Sequence, residues 1–166
     1  SGQCRLNIIN TNTLVLDLDG TLRQGAHRLH LLPSQEEIQY WEEKGTPNAA
    51  WEDFNGEAAN DVPLHGNIAI ANRFYCDHTT VVLTSCTWTE ENEKIIREQL
   101  SKWNVKYDMI VMRHPDNHLH PVEMKETFIN DLTEIVDIDK ILAMDDCSNN
   151  CEMFNRKGVT TLKVYY

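Results

Sequence analysis

Apolar residues concentrate in five short runs along the chain, near 13–18, 79–84, 107–112, 140–144 and 160–165. Between the later runs the apolar positions recur at helical spacing. Ile95, Ile96, Leu100 and Trp103 form one stripe in a helix expected near 90–103, with Thr87 or Thr89 as its cap. Met124, Phe128, Ile129 and Leu132 form another near 122–135, and a third helix near 148–157 stops at Gly158. Strands alternating with helices predict an α/β fold: a Rossmann-like three-layer sandwich around a mostly parallel five-stranded sheet.

The stretch from about 23 to 65 breaks this rhythm. It holds two of the four tryptophans, Trp41 and Trp51, together with Phe54. Ser34-Gln35-Glu36-Glu37 has the form of a capping box opening a helix to about Lys44, and Gly45-Thr46-Pro47-Asn48 then breaks it. The segment is expected to be a small cap inserted after the first strand. The interval from Thr84 to Lys125 is filled by a helix, a strand and the loop 113–121, so no second cap is expected. The three cap aromatics exceed what a short connection needs and are candidates to stack on a base or to form the cap's own core.

Composition narrows the class. A chain of 166 residues, 41% hydrophobic and 25% charged, is expected to form one globular domain over 1–166 with a real core. No apolar run approaches the ~20 residues that span a bilayer, and no basic-then-apolar leader opens the chain, so neither membrane nor secretion is expected. Five cysteines (Cys4, Cys76, Cys86, Cys147, Cys151) form an odd set without a compact framework, which fits reduced thiols in a cytoplasm. With 26 acidic and 15 basic side chains the formal charge is −11, the wrong sign for coating long nucleic acid. A small anionic substrate or a strand end remains compatible with it.

The chemistry begins where the first strand ends. In Asp17-Leu18-Asp19-Gly20-Thr21 two carboxylates share a strand face by their two-residue spacing, and the turn at Gly20 lets the second bend over the first. One can attack phosphorus while the other handles a proton, and a divalent cation between them would cancel their charge. Thr84-Ser85, after Val81-Val82-Leu83, offers hydroxyl and backbone donors for phosphate oxygens. Lys125 offers a point positive charge. Asp145-Asp146, after Ile141-Leu142-Ala143-Met144, is an acidic pair suited to a hard cation. His114, His118 and His120 share a loop with no cysteine and with prolines at 115 and 121, so zinc is not expected there; Cys147 and Cys151 are assigned to packing.

Aspartate, hydroxyl, lysine and acidic pair, in that order from Leu14 to about Val164, resemble the four motifs of the haloacid dehalogenase superfamily of phosphotransferases. The resemblance implies that Asp17 is the nucleophile of an aspartyl-phosphate pathway and Asp19 the general acid and base. It further implies that the Asp17 carboxylate and the Asp19 main-chain carbonyl bind Mg²⁺, with one of Asp145 and Asp146 completing the ligands. Asp146 is favoured as direct ligand and Asp145 as the group orienting Lys125. Thr84 is expected to bind phosphate, with Ser85 in its place if the strand ends a residue later.

A finer resemblance is to the 3′-phosphatase domain of phage polynucleotide kinases, carried by Asp17 to Leu22, His27-Arg28-Leu29-His30, Leu83-Thr84, Met112-Arg113, Lys125, Asp145-Asp146, Arg156 and Gly158-Val159. No Gly-Lys-Ser/Thr loop is present, so no kinase half is expected. Two arginines of that pattern are replaced here by Cys86 and Cys147, leaving Arg23, Arg28, Arg73 and Arg113 as possible substitutes. Gly20, Arg28 and Arg113 join Thr84 and Ser85 as expected substrate contacts. The implied activity is a Mg²⁺-dependent phosphomonoesterase acting on nucleic-acid 3′-phosphate ends or nucleotides in a phage or bacterial host cytoplasm. A nucleotidase or small-metabolite phosphatase, and an idle module that only holds a phosphorylated ligand, are the rival readings.

Overall fold

A computed structural model describes residues 8–166, so Cys4 lies outside the described residues. The five long strands are β1 (Thr13–Leu16), β4 (Thr79–Thr87), β5 (Met109–Arg113), β6 (Ile141–Asp145) and β7 (Thr160–Lys163). They form one sheet in the order β5-β4-β1-β6-β7, and every neighbouring pair is parallel. β1 is central and wholly buried, which is why its sequence is a continuous apolar run and not an alternation.

Alternate residues feed two cores. Leu14, Leu16 and Met144 face one side, where Ile68 and Ala71 of α3 (His65–Phe74) and Ile96 and Leu100 of α4 (Glu90–Lys102) cover them. Val15, Ile141 and Ala143 face the other, under Met124 and Ile129 of α5 (Pro121–Leu132) and Met153 and Phe154 of α6 (Ser148–Lys157). This is the expected three-layer Rossmann-like arrangement. Thr89, and not Thr87, caps α4, its side chain accepting from Asn92 N at 3.0 Å. α6 ends at Gly158 with φ +88°, a left-handed conformation that suits glycine.

The insert is built on a neck, the short antiparallel pair of β2 (Arg23–Gln24) with β3 (Val62–Pro63). Between them lie α1 (Gln35–Glu43) and α2 (Glu52–Gly56) with 3₁₀ turns. The capping box before α1 closes in both directions, Glu37 N donating to Ser34 Oγ at 3.1 Å and Ser34 N to Glu37 Oε2 at 3.2 Å. The neck and α3 were not legible as elements. Two-residue strands carry no periodicity, and Gly66, Asn67 and Asn72 are poor helix formers. Tertiary contacts override that propensity in α3: its apolar face is buried, and Asn67 Nδ2 donates to the Thr21 carbonyl at 3.0 Å. Among the described residues no helix is long and apolar enough to cross a membrane.

Candidate active site

The strand order reverses at β1: the chain builds outward through β4 and β5, then crosses back to β6 on the other side. In open α/β sheets ligands bind at such a switch point, beyond the carboxyl ends of the strands. The register Leu16↔Met144 carries the next residues of both strands, Asp17 and Asp145, to the same level. Asp17 N extends the ladder by donating to Met144 O at 3.0 Å. Asp17, Asp145 and Asp146 thereby each offer an oxygen within 4.8 Å of the others, and no other such cluster occurs among the described residues.

Lys125, from the first half of α5, points into this cluster. Its Nζ donates to Asp17 Oδ1 at 2.6 Å and to Asp145 Oδ2 at 3.1 Å, while the other Asp17 oxygen accepts from Thr21 Oγ1 at 2.9 Å. Asp145 is further fixed by Cys147 N at 2.9 Å and Asn150 Nδ2 at 3.1 Å. Asp146 is half-buried and accepts from Thr21 Oγ1 at 3.4 Å. Burial opposes the Lys125 charge, but Asp17 and Asp145 outweigh it and hold the ammonium above its ordinary pKa. Burial pushes the Asp17 carboxyl up to about 6, against the pull of Lys125 and helped by Asp146. Asp145 is likewise raised, by burial and then by Asp17. An all-oxygen set of crowded carboxylates suits a hard cation such as Mg²⁺, which would relieve this repulsion.

The turn after Asp17 has a steric requirement. Gly20 has φ +82°, and a Cβ there would collide with the Asp146 carboxylate. Gly20 thus admits the close approach of the two acidic segments. Beyond that, the chain turns Asp19 away from Asp17's partners and toward the cap. Asp19 is half open, and its carboxylate accepts from Arg23 Nε at 2.8 Å and Arg28 Nη2 at 2.9 Å. Desolvation would raise its pKa, but Arg23 and then Arg28 outweigh it and lower it, so Asp19 rests ionised.

Both arginines are buried, and behind them stands Asp61, whose side chain is wholly buried. Asp61 accepts from Arg28 Nε at 2.9 Å and Nη2 at 2.8 Å, lies 3.4 Å from Arg23 Nε, and meets His27 Nε2 at 2.9 Å. Gln99 completes the network, accepting from Arg23 Nη1 at 2.9 Å and donating to the Ala58 carbonyl at 2.6 Å. Arg28 Nη1 also donates to the Phe54 carbonyl at 3.1 Å, so all three of its nitrogens are engaged within the protein. Its place is therefore that of a strut between cap and Asp19, where the sequence suggested a substrate contact. Asp61 and Gln99 were not singled out by the sequence; the one available signal was the pair of arginines following the Asp19 turn, which need buried counter-charge. Replacing Asp61 by alanine is expected to cost about 3–5 kcal/mol of folding free energy, because it strands buried guanidinium charge. Urea unfolding would measure it, and a loss below about 1 kcal/mol, the size of a surface pair, would contradict the network.

On the other side of β1, β4 does not end at Thr84 but runs to Thr87 through an irregularity. Leu83 pairs with Val111 and Thr87 with Arg113, so residues 84–86 bulge opposite Met112 alone. Bulges re-aim side chains at sheet ends. Thr84 is buried and its Oγ1 accepts from Cys86 N at 3.1 Å, while Ser85 and Cys86 line an adjacent cleft. Burial pushes the Cys86 thiol up to about 11, so it is neutral. Arg113, at the end of β5, also lines the cleft; it donates to the carbonyls of Ser85 at 2.9 Å, Asn117 at 3.1 Å and Leu119 at 2.7 Å. Arg73 sits exposed in the last turn of α3.

The cleft encloses about 750 Å³ between cap and sheet. Its lining takes Asp19, Ser85 and Arg113 from the sheet side and Leu32, Ile38, Trp51 and Phe54 from the cap. His118 and His120 line it as well; His120 Nδ1 accepts from Val122 N at 3.4 Å to cap α5, and His114 Nδ1 accepts from Asp116 N at 3.0 Å. The four described cysteines, Cys76, Cys86, Cys147 and Cys151, are free thiols.

No family model matches the sequence, and no curated protein matches it significantly. Solved structures match the fold. A chain of the Pnkp1/Rnl/Hen1 complex superposes with TM-score 0.66 at 16% identity over 96% of this chain, which spans 48% of that one. A haloacid dehalogenase-like hydrolase from Streptococcus pneumoniae matches with TM-score 0.60 at 11% identity, over 92% of this chain and 84% of its own. A haloacid dehalogenase family enzyme from Bacteroides thetaiotaomicron, solved with magnesium and inorganic phosphate, matches with TM-score 0.58 at 12% identity, over 93% and 94% of the two chains. The fold is that of the haloacid dehalogenase superfamily.

Proposed function

We propose that this protein is a Mg²⁺-dependent phosphomonoesterase that passes phosphate through Asp17 and acts on nucleic-acid 3′-phosphate ends or nucleotides. The observation that carries the reading is the carboxylate of Asp17 at the switch point, oriented by Lys125 and Thr21 and set beside Asp145 and Asp146. The Pnkp1 match supports the nucleic-acid end as a substrate class; the magnesium and phosphate of the Bacteroides thetaiotaomicron enzyme support the cofactor.

Asp17 and Asp146, with the Asp19 carbonyl, would hold Mg²⁺, and Asp145 orients Lys125. When bound, the cation neutralises charge on the phosphoryl oxygens and the carboxylates. Asp19 takes a proton from solvent as the phosphate settles beside it; Asp17 then attacks phosphorus, the phosphorus–oxygen ester bond breaks, and Asp19 gives that proton to the leaving oxygen. Asp19 then takes a proton from the water that attacks phosphorus, and Asp17 is released with inorganic phosphate. In the resting site the arginines keep Asp19 ionised. A phosphate dianion arriving beside it raises its proton affinity, as like charge does for any carboxyl. Lys125 holds countercharge on Asp17 throughout, and Thr84, Ser85, Gly20 and Arg113 are the phosphate and substrate contacts.

The test is phosphate release with Mg²⁺ from an aryl phosphate, nucleotides, 3′-phosphorylated oligonucleotides and sugar phosphates, each repeated in EDTA. Metal-dependent release from the aryl phosphate and from nucleotide-type substrates is expected. Full activity in EDTA would contradict the metal site, and no release from any substrate would leave a phospho-ligand binding module.

A further inference from the structure

We propose that the cleft is a site for a single nucleoside monophosphate, with Trp51 as the platform for its base, and that it admits a mononucleotide in preference to a strand. The inference rests on the phosphatase reading above and narrows its substrate.

The cap aromatics are not equivalent. Trp41 packs edge-on against Tyr40, with centroids 5.1 Å apart, and does not line the cleft. Phe54 lines it, but the Arg28 guanidinium covers its ring at 4.2 Å, and that guanidinium is fixed by Asp61 and Asp19. Trp51 meets Phe54 edge-on at 6.1 Å, an arrangement that buttresses its ring, and it is half-buried in a lining that also takes Leu32 and Ile38 from the cap. It is the cap aromatic best placed to take a flat ring.

Charge and size argue for one nucleotide. Among the cleft-lining side chains, histidines aside, the one cation is Arg113 and there is no lysine; of the two carboxylates, Asp19 is paired with Arg23 and Arg28, and Glu42 is the other. Proteins that track a strand do so with a positively charged groove, because each further phosphate brings its own charge. Here the further phosphates of a strand would meet one lining guanidinium and no lysine, on a chain of net charge −11. The volume of about 750 Å³ lies within the range of sites that enclose one small ligand. At the rim, Asn48 Nδ2 donates to the Pro115 carbonyl at 3.3 Å, tying the cap to the loop that follows β5. The cleft therefore reaches the reaction centre through Asp19, two residues beyond Asp17, and combines polar side chains of the sheet side with apolar cap side chains, one available indole and a tie between cap and loop.

The experiment compares kcat and KM for nucleoside 3′- and 5′-monophosphates, a 3′-phosphorylated oligothymidylate and 4-nitrophenyl phosphate, using wild type, Trp51→Ala, Trp51→Phe and Trp41→Ala. Mononucleotide kcat/KM is expected to exceed that of the oligonucleotide. Trp51→Ala should raise the mononucleotide KM, relative to the aryl phosphate KM, by about 5- to 100-fold, the loss of one base stack. Trp51→Phe should restore most of the difference, and Trp41→Ala should not change the ratio. A better oligonucleotide than mononucleotide, or equal KM ratios in wild type and Trp51→Ala, would overturn the proposal. If even the aryl phosphate is not hydrolysed, it is the phosphatase reading that fails. Calorimetric titration of a nucleoside monophosphate then decides the site: weaker binding to Trp51→Ala and Trp51→Phe rescue support it, and equal affinity or no binding by wild type overturns it. Thermal melts identify a variant that has not folded, and the wild-type comparison of mononucleotide with oligonucleotide carries the test in that case.

Discussion

Asp17→Asn is expected to lower kcat by a factor on the order of 10⁴ or more, the scale seen when a nucleophile is removed from a group that works as a unit. The amide has the shape of the carboxylate and can still accept from Thr21, which now donates to Asp17 at 2.9 Å. Lys125 keeps Asp145 as a partner at 3.1 Å, so its charge is not left alone. The fold should therefore persist, checked by circular dichroism and a cooperative melt, while the amide oxygen cannot form the phospho-enzyme. Turnover at more than a few per cent of wild type would remove Asp17 from the nucleophile's role.

Asp19→Asn is expected to cost about 10² to 10⁴ in rate, the usual contribution of a positioned acid or base. The loss should depend on the leaving group. Nitrophenolate departs without a proton, so the first half-reaction should suffer much less with an aryl phosphate than with a nucleotide, measured as a burst or in single turnover. Hydrolysis of the phospho-enzyme needs the base with either substrate, and its rate should fall equally for both. Equal losses in the first step would mean that Asp19 does not donate the proton. Arg23 and Arg28 would then face Asp61 with an amide in place of Asp19, so assays belong well below the melting temperature.

The elements that the sequence predicts well are those whose signal is local. β1 reads as a continuous apolar run because both of its faces are buried, and α1 announces itself through Ser34 and Glu37, which satisfy each other's backbone donors within one turn. α3 does not, because its helix is held by Ile68 and Ala71 in the core and not by the propensities of Gly66, Asn67 and Asn72. Strand ends shift for the same reason: the bulge between Leu83 and Thr87 exists only by reference to Val111 and Arg113 on the neighbouring strand, and it decides that Ser85, and not Thr84, lines the cleft.

For the site, local sequence suffices to say which residue types lie beyond which strands: Asp17 and Asp19 after β1, Asp145 and Asp146 around the end of β6, and Lys125 in a helix. Periodicity and turn chemistry fix those positions along the chain, because each depends on neighbours a few residues away. Which of them meet depends on the packed fold. It joined Lys125 to Asp17 across 108 positions, withdrew Arg28 from the cleft by pairing it with Asp61, and left Trp51 as the available aromatic while Trp41 packed elsewhere. Burial makes these choices, since a charge or ring removed from water must find its partner in space, and that partner lies wherever the packed layers bring the chain together.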